Sequence, residues 1–212
     1  MKVEVVRRMV KIILIAFFTL LNGHSICHAK IHVQVLYESL CPDSINFVMQ
    51  QLYPIWNEVA PYVNIEFVPF GKSSSINGGQ HFICQHGPKE CMGNKIQSCA
   101  LSLIPEQNAQ VEYVNCFMST FKKGIDNDNE LGQGCAESLG LPWGYVANCY
   151  HSTHGTRLQL AAEKVTLATR PKFVPTIIYN GHFDQKAQDE SQFNFKGVLC
   201  SFIVQLYPGV CQ

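Results

Sequence analysis

Charged residues are scarce in this 212-residue chain, and they are not concentrated in any one region. Asp, Glu, Lys and Arg make up 15% of the sequence, with 16 basic and 16 acidic residues in total. The lack of a basic stripe argues against a nucleic-acid partner, and the lack of an acidic run argues against a charged tail. Internal repeats and low-complexity segments are absent as well. The composition is therefore that of an ordinary globular domain.

Long apolar runs are absent outside the N-terminal segment. Arg7, Arg8 and Lys11 lead into an apolar run, Ile12 to Leu21, which has the length of a secretory signal and is short for a bilayer span. Cys27-His28-Ala29 places small residues at the two positions that a signal peptidase reads. We therefore predict a signal peptide over residues 1–29, with an uncleaved anchor as the alternative. The mature domain, residues 30–212, would have a net charge of −3 and no membrane partner.

The sequence from residue 30 onward also lacks an Asn-x-Ser/Thr sequon, so N-glycosylation is not expected. No retention or anchor signal is recognisable at the C-terminal end. We predict a secreted protein, with a lysosomal or endosomal location as the second choice.

Cysteine is plentiful, and its count is informative. Ten cysteines are present, and removal of Cys27 with the signal leaves nine, an odd number that leaves one thiol without a partner in the chain. Cys41 is alone in the first part of the domain, so we predict that it is the free thiol. The other eight could form four bridges: Cys84, Cys91, Cys99, Cys116, Cys135, Cys149, Cys200 and Cys211. Connectivity cannot be read from sequence, although a bridge between Cys200 and Cys211 is a reasonable guess.

Cys41 opens a short motif, Cys41-Pro42-Asp43-Ser44, between a predicted strand and a predicted helix. The alternating, β-branched segment Ile31 to Tyr37 indicates the strand, and Ile45 to Val59 indicates the helix. A cysteine at a helix N-terminus lies in a field that stabilises its thiolate. A redox motif of this kind usually ends in a second cysteine, and here Ser44 occupies that position.

The order of predicted elements is β-α-β, a helical insertion rich in cysteine, and then α-β-β-α. Strands are predicted at residues 31–37, 62–69 and 173–179, with a returning strand at His182 after an Asn-Gly turn. Helices are predicted at 45–59, from 156 to about 169, and at 192–206, and residues 71–79 form a loop by composition. This order predicts an α/β, thioredoxin-like fold with an insertion at about 71–155. Pro175 then occupies the place of the cis proline beside the active site of that fold.

A dense motif lies between Cys84 and Cys99. It resembles the signature of the interferon-inducible lysosomal thiol reductases, C-Q-H-G-x-x-E-C-x-x-N-x-x-x-x-C, and the resemblance extends over nearly all of the mature chain. Each fixed position is present here: Cys84, Gln85, His86, Gly87, Glu90, Cys91, Asn94 and Cys99.

The resemblance implies a thioredoxin-like fold and reduction of disulfides in proteins or peptides. By position, Cys41 matches the attacking cysteine, Ser44 replaces the resolving one, and Val174-Pro175 matches the peptide bond that flanks the active site. No bound cofactor is implied. Because Ser44 cannot release a mixed disulfide, we expect an external thiol such as glutathione or free cysteine to act as reductant.

Two other interpretations of the signature remain open. Cys84, His86, Cys91 and Cys99 could form a Cys₃His zinc site, but thiols in a secreted chain are usually oxidised, so we expect no bound metal. His86 could act as a catalytic base, although a hydrogen bond within a disulfide-tied loop is the simpler expectation.

Two functions fit these observations. The first is a thiol-disulfide oxidoreductase that works with one cysteine. The second is a secreted binding protein that keeps the fold and has lost reductase turnover.

Overall fold

The computed structural model of the chain describes residues 29–122 and 131–211. Nearly all of the predicted signal peptide, residues 1–28, lies outside them. The strands are β1 (Ile31–Tyr37), β2 (Val63–Pro69), β3 (Ser74–Ile76), β4 (His81–Ile83) and β5 (Thr176–Tyr179). The helices are α1 (42–59), α2 (Pro88–Leu103), α3 (Gln107–Lys122), α4 (Gln133–Ser138), α5 (Trp143–His151), α6 (Thr153–Thr169) and α7 (Gln185–Leu206). Within the described residues, no helix combines the length and apolarity needed to cross a bilayer.

The main sheet has three strands in the order β2-β1-β5. β1 and β2 are parallel, from the pair Ile31 and Val63 to the pair Tyr37 and Pro69, and α1 makes the crossover between them. β5 runs antiparallel to β1 on its other side. The predicted β-α-β unit is therefore confirmed, and β1 is the central strand.

Helices cover both faces of this sheet. Successive side chains of a strand point to opposite faces, and Val35 and Leu36 of β1 accordingly belong to different hydrophobic clusters. Val35 lies in the main core with apolar side chains of α1, α3 and α7. Leu36 packs on the other face, against Ala162 and Val165 of α6. The end of β1, where Cys41 follows, is thus held in the middle of a layered α/β core.

The helices between β4 and α6 enclose a second core. Ile96, Tyr113, Phe117 and Val146 lie in it and are almost completely buried. Two disulfides, Cys99–Cys149 and Cys116–Cys135, belong to this cluster and tie its helices together.

α1 begins at Pro42, three residues before the predicted start, and is not uniform. It continues from an α-helical turn (Pro42–Asn46) through wide π-type turns (Phe47–Leu52) and a tight 3₁₀ turn (Tyr53–Ile55) to a last α-turn (Trp56–Val59). Pro54 lies in the tight turn, and its missing N–H accounts for a local change in hydrogen bonding.

The prediction of a plain loop at residues 71–79 was wrong. β3 lies within that range and pairs antiparallel with β4 in a separate two-stranded sheet. The carboxylate of Glu163 on α6 anchors this hairpin, because it accepts hydrogen bonds from the Ser75 N–H at 2.8 Å and from the Ser75 hydroxyl at 2.6 Å. A carboxylate 88 residues away in sequence gives no local signal.

The returning strand predicted at His182 was also wrong. The turn at Asn180-Gly181 makes only a single bridge, between Tyr179 and His182. The chain then enters α7 at Gln185, seven residues earlier than predicted, because the Asp184 carboxylate caps the helix through the Ala187 N–H at 2.7 Å.

Candidate active site at Cys41

Cys41 is the one free cysteine among the described residues, as the odd count predicted. It occupies the N-cap position of α1, with Pro42 as the first helical residue. Its side chain is only 6% exposed. The thiol donates a hydrogen bond to the Val174 carbonyl oxygen, with an S–O distance of 3.6 Å. The sulfur therefore lies between a helix N-terminus and the segment that leads into β5.

The Val174-Pro175 peptide bond is cis, as predicted from its place in the chain. Gln188 of α7, which is buried, holds this segment through its side-chain amide. The amide N–H₂ donates to the Pro175 carbonyl at 3.0 Å, and the amide oxygen accepts from the Ile177 N–H at 2.7 Å. Gln188 thus fixes the strand that faces Cys41, and the sequence pattern did not reveal this role.

Ser44 lies one turn into α1 and is completely buried. Its hydroxyl oxygen accepts a long hydrogen bond of 3.4 Å from the Glu38 N–H. The Cys41 sulfur is hydrogen-bonded to the Val174 carbonyl oxygen, and the Ser44 hydroxyl faces the turn before Cys41.

The signature residues divide into two groups. Cys84 and Cys91 form a disulfide with each other, and Cys99 is bridged to Cys149. Gln85 is exposed, and Gly87 has a φ of +87°, a conformation that favours glycine, at the N-cap of α2. Because the three cysteines are oxidised, the zinc site built from Cys84, His86, Cys91 and Cys99 is wrong.

The second group of signature residues supports the turn before Cys41. The Ser39 N–H donates to the Asn94 side-chain oxygen at 2.8 Å, and the Ser39 hydroxyl donates to the Glu90 carbonyl oxygen at 3.1 Å. All three residues are completely buried. The Cys41 N–H in turn donates to the Glu38 carbonyl oxygen at 3.3 Å. The signature helix α2 therefore fixes the backbone on which Cys41 is carried.

Glu38, His86 and Glu90 form a compact group beside this turn. His86 Nδ1 lies 2.6 Å from Glu90 Oε2 and 3.5 Å from Glu38 Oε2. The expected structural hydrogen bond of His86 is therefore present. Burial raises the pKa of Glu38 to about 7; the Lys72 N–H and His86 act against this rise, and the nearby Glu90 carboxylate adds to it.

Sequence reasoning did not identify Glu38, Ser39 or Gln188. A charged residue placed between an apolar strand and Cys41 is a usable signal for Glu38. Ser39 has no such signal, because its acceptor Asn94 lies 55 residues away in sequence. Gln188 has none either, because its contact with Pro175, 13 residues away, depends on how α7 packs against that segment.

The arrangement is a thioredoxin-like fold in which a free cysteine at a helix N-terminus lies beside a cis proline. DsbA of Chlamydia trachomatis superimposes with a TM-score of 0.59 over 85% of this chain and 88% of that chain, at 16% identity. A putative protein disulfide isomerase from Nitrosomonas europaea gives a TM-score of 0.58 over 84% and 99%, at 14% identity. At such identities the likeness shows the fold, and it confirms the predicted α/β class.

Sequence comparison narrows the class to a family. Residues 32–139 match the family described as Gamma interferon inducible lysosomal thiol reductase (GILT). GILT-like protein 1 of Drosophila melanogaster is 37% identical over 198 residues, covering 86% of this chain and 79% of the relative. The Gamma-interferon-inducible lysosomal thiol reductase of Mus musculus is 28% identical, covering 84% and 68%. The chain belongs to the GILT family.

Proposed function

We propose that this protein is a thiol-disulfide oxidoreductase that acts on disulfides of proteins or peptides through Cys41 alone. The observation that carries the proposal is the position of the free Cys41 at a helix N-terminus beside the cis Val174-Pro175 bond. Such a position stabilises a thiolate, which is the attacking form. Membership of a thiol reductase family supports the same chemistry.

In the first step the Cys41 thiolate attacks one sulfur of a substrate disulfide. The substrate S–S bond breaks, a mixed disulfide with Cys41 forms, and the other substrate sulfur leaves as a thiolate. For this step the Cys41 hydrogen bond to Val174 has to open and the buried sulfur has to meet the incoming disulfide. The segment at Val174 and Pro175 lies where an extended substrate chain would pass.

Release is the step that Ser44 changes. A cysteine at that position would attack the mixed disulfide within the protein at high effective concentration. With Ser44, an external thiolate such as glutathione or free cysteine attacks the mixed disulfide instead, and a second one completes the exchange. One substrate disulfide and two small thiols then give a substrate dithiol and one small-molecule disulfide. A second thiol on the substrate would give isomerisation by the same chemistry.

A pocket of about 220 Å³ next to the cis-proline segment is a suitable place for a substrate side chain. Phe173 and Phe183 line it, with ring centroids 6.2 Å apart, together with Arg170 and Lys172. We assign to it an apolar substrate residue near the disulfide.

The second candidate is a binding protein without turnover. Two observations favour this alternative: Cys41 is buried, and its sulfur is hydrogen-bonded to the Val174 carbonyl oxygen. Both oppose attack of the sulfur on a substrate disulfide. The segment at Val174 and Pro175 and the adjoining pocket would then hold a peptide without exchange.

The two candidates differ in covalent chemistry, which mass spectrometry detects. The mature protein, Ser44→Cys and Cys41→Ser are incubated with a disulfide-containing peptide, with and without glutathione. The proposal predicts a peptide adduct on Cys41 of the natural protein that glutathione removes. It also predicts at least about tenfold faster reduction by Ser44→Cys, because release becomes intramolecular.

Cys41→Ser is the matched control, since it changes one atom and should form no adduct. Absence of an adduct on all three proteins, at both acidic and neutral pH, would reject the oxidoreductase and favour the binding protein. Adducts on the natural protein that glutathione cannot remove would indicate a covalent trap.

We further propose that the protein is secreted, with a lysosomal or endosomal location as the second choice. The signal-like segment and the lack of a sequon in residues 30–212 support secretion. Expression of the full chain in a eukaryotic cell should place most of the mature protein in the medium. Recovery mainly in isolated lysosomes, with none in the medium, would contradict this location.

A further inference from the structure

Three side chains that could ligate a metal ion lie together beside the turn that carries Cys41, and they form the Glu38–His86–Glu90 cluster. Their ligand atoms all lie within 4.8 Å of one another. The two carboxylates are completely buried, whereas the His86 side chain is 38% exposed. The cluster is therefore built into the protein from the Glu38 and Glu90 side and open to solvent along His86.

Each carboxylate is oriented in the same way. Glu38 Oε1 accepts the Lys72 N–H at 2.6 Å, and Glu90 Oε1 accepts the His86 N–H at 3.0 Å. Backbone donors thus hold one oxygen of each carboxylate and aim the other, Oε2, at the imidazole. Outer hydrogen bonds of this kind orient the ligands of metal sites.

One of the aimed oxygens has no hydrogen-bond partner. Glu38 Oε2 is buried and has no hydrogen-bond partner, and His86 Nδ1 lies 3.5 Å from it. A buried carboxylate oxygen without a partner is costly, so a native protein usually gives it a ligand, a water or a proton. This atom points into the cluster and indicates that something more than the three side chains belongs there.

The backbone of the turn after β2 lies close against the Glu38 side chain. Gly71 has a φ of +56°, and a Cβ at that position would lie 2.4 Å from Glu38 Cγ. Glycine at this position therefore leaves the space that the Glu38 side chain occupies.

We propose that the Glu38–His86–Glu90 cluster binds a divalent transition-metal cation, of which Zn²⁺ is the best match. The donors are Glu38 Oε2, Glu90 Oε2 and His86 Nδ1. Imidazole combined with carboxylates suits Zn²⁺ and its neighbours, whereas Mg²⁺ prefers oxygen ligands alone. This donor set replaces the sulfur ligands of the site considered from the sequence, and it does not depend on the proposed thiol chemistry.

The two distances from His86 Nδ1 fit such a site after one adjustment, and the two carboxylate oxygens lie within 4.8 Å of each other. Ligand atoms of tetrahedral Zn²⁺ are separated by roughly 3.3 Å, because each bond is about 2.0–2.2 Å long. The separation of His86 Nδ1 from Glu38 Oε2, 3.5 Å, already agrees. The separation from Glu90 Oε2, 2.6 Å, is that of a hydrogen bond, and the cation would displace the shared proton and widen it. The exposed His86 ring has room to make that movement.

The cation would bridge the signature helix α2 and the turn that carries Cys41. Glu90 lies on α2, and the Glu38 carbonyl accepts the Cys41 N–H. Binding would therefore stiffen the backbone before Cys41 without contacting its sulfur.

The experiment is equilibrium dialysis of the disulfide-bonded mature protein against Zn²⁺ at neutral pH, with Mg²⁺ in parallel and melting temperatures measured for each. One Zn²⁺ per chain and a raised melting temperature are expected, with no response to Mg²⁺. His86→Ala should abolish stoichiometric binding. Glu38→Gln, which keeps the size of the side chain, should weaken it by at least about the 10- to 100-fold that outer partners of metal ligands contribute.

Two controls separate this site from others. His32→Ala removes a histidine that pairs with Glu66 at 3.3 Å on the exposed surface, and it should bind Zn²⁺ normally. Cys41→Ser should also bind normally, and Co²⁺ bound to the natural protein should show no sulfur-to-cobalt charge-transfer band.

Several outcomes would overturn the proposal. Absence of stoichiometric Zn²⁺ would leave only a proton in the cluster. Unchanged binding by both His86→Ala and Glu38→Gln, with native melting curves, would place the ion elsewhere. Loss of binding in Cys41→Ser would assign the ion to the thiol.

Discussion

Asn94 shows how a single signature residue acts on Cys41 from a distance. Its side-chain oxygen is the acceptor for the buried Ser39 N–H, two residues before the cysteine. The hydrogen bond crosses 55 residues of sequence and links α2 to the turn. We infer that Asn94, together with the Glu90 carbonyl, positions this turn.

Asn94→Ala should loosen the turn, because it leaves the Ser39 N–H buried without a partner. The expected loss of stability is about 1–3 kcal/mol, together with faster alkylation of native Cys41 by iodoacetamide. Thermal unfolding and timed mass spectrometry measure the two effects. Asn108→Ala is the matched control, since it removes one acceptor from the Trp56 indole N–H, far from Cys41 in sequence. Equal alkylation rates for Asn94→Ala and the natural protein would refute the positioning role.

Three elements meet at the carboxyl end of β1: the turn that carries Cys41, the turn after β2, and the start of α2. Their contact depends on Gly71, since a side chain there would collide with Glu38. Parallel strands bring such turns together at one edge of the sheet, as β1 and β2 do here.

Gly71→Ala should destabilise the protein more than Gly78→Ala. Both glycines have positive φ, of +56° and +65°, so each substitution costs about 1–2 kcal/mol of backbone strain. At Gly71 the collision with Glu38 adds about 1–3 kcal/mol of overpacking, whereas a Cβ at Gly78 meets no atom within 4 Å. Urea unfolding of the two variants measures the difference in stability. Equal midpoints would show that the turn accommodates the added methyl group at position 71 with no further loss of stability.

The described part of the molecule is built on a thioredoxin-like core and a helical core tied by disulfides. Cys99–Cys149 spans 50 residues inside the helical core, whereas Cys200–Cys211 spans 11 residues at the end of the described chain. In the chain-entropy account, a bridge that closes a longer loop restricts the unfolded chain more strongly.

Replacing both cysteines of Cys99–Cys149 by Ala should cost about 4 kcal/mol, against about 3 kcal/mol for Cys200–Cys211. The two double variants are made in a Cys41→Ser background, so that the free thiol cannot reshuffle the remaining bridges. The melting temperatures of the two double variants measure how much stability each disulfide contributes. A larger loss for Cys200–Cys211 would mean that the C-terminal bridge carries more of the stability than loop length implies.

The sequence alone determined the features that depend on local pattern or on counting. Alternating apolar residues identified β1 and β2, and the odd number of cysteines identified Cys41 as the free thiol. The place of Pro175 in the element order led to the cis bond, and the spacing of the signature led to the family. Each of these follows from a local pattern, from parity or from the order of the elements, so no particular long-range contact had to be known.

The Cys200–Cys211 bridge guessed from the sequence is confirmed. Only the tertiary structure decided how the other six paired cysteines are bridged, where the Ser44 hydroxyl points, and which residues surround the turn before Cys41. Glu38 and His86 are distant in sequence, and the folded backbone alone brings their side chains within 3.5 Å. The same reason explains the missed β3–β4 hairpin, since Glu163 anchors it from α6. Local periodicity specifies an element, but its partners depend on how the chain packs.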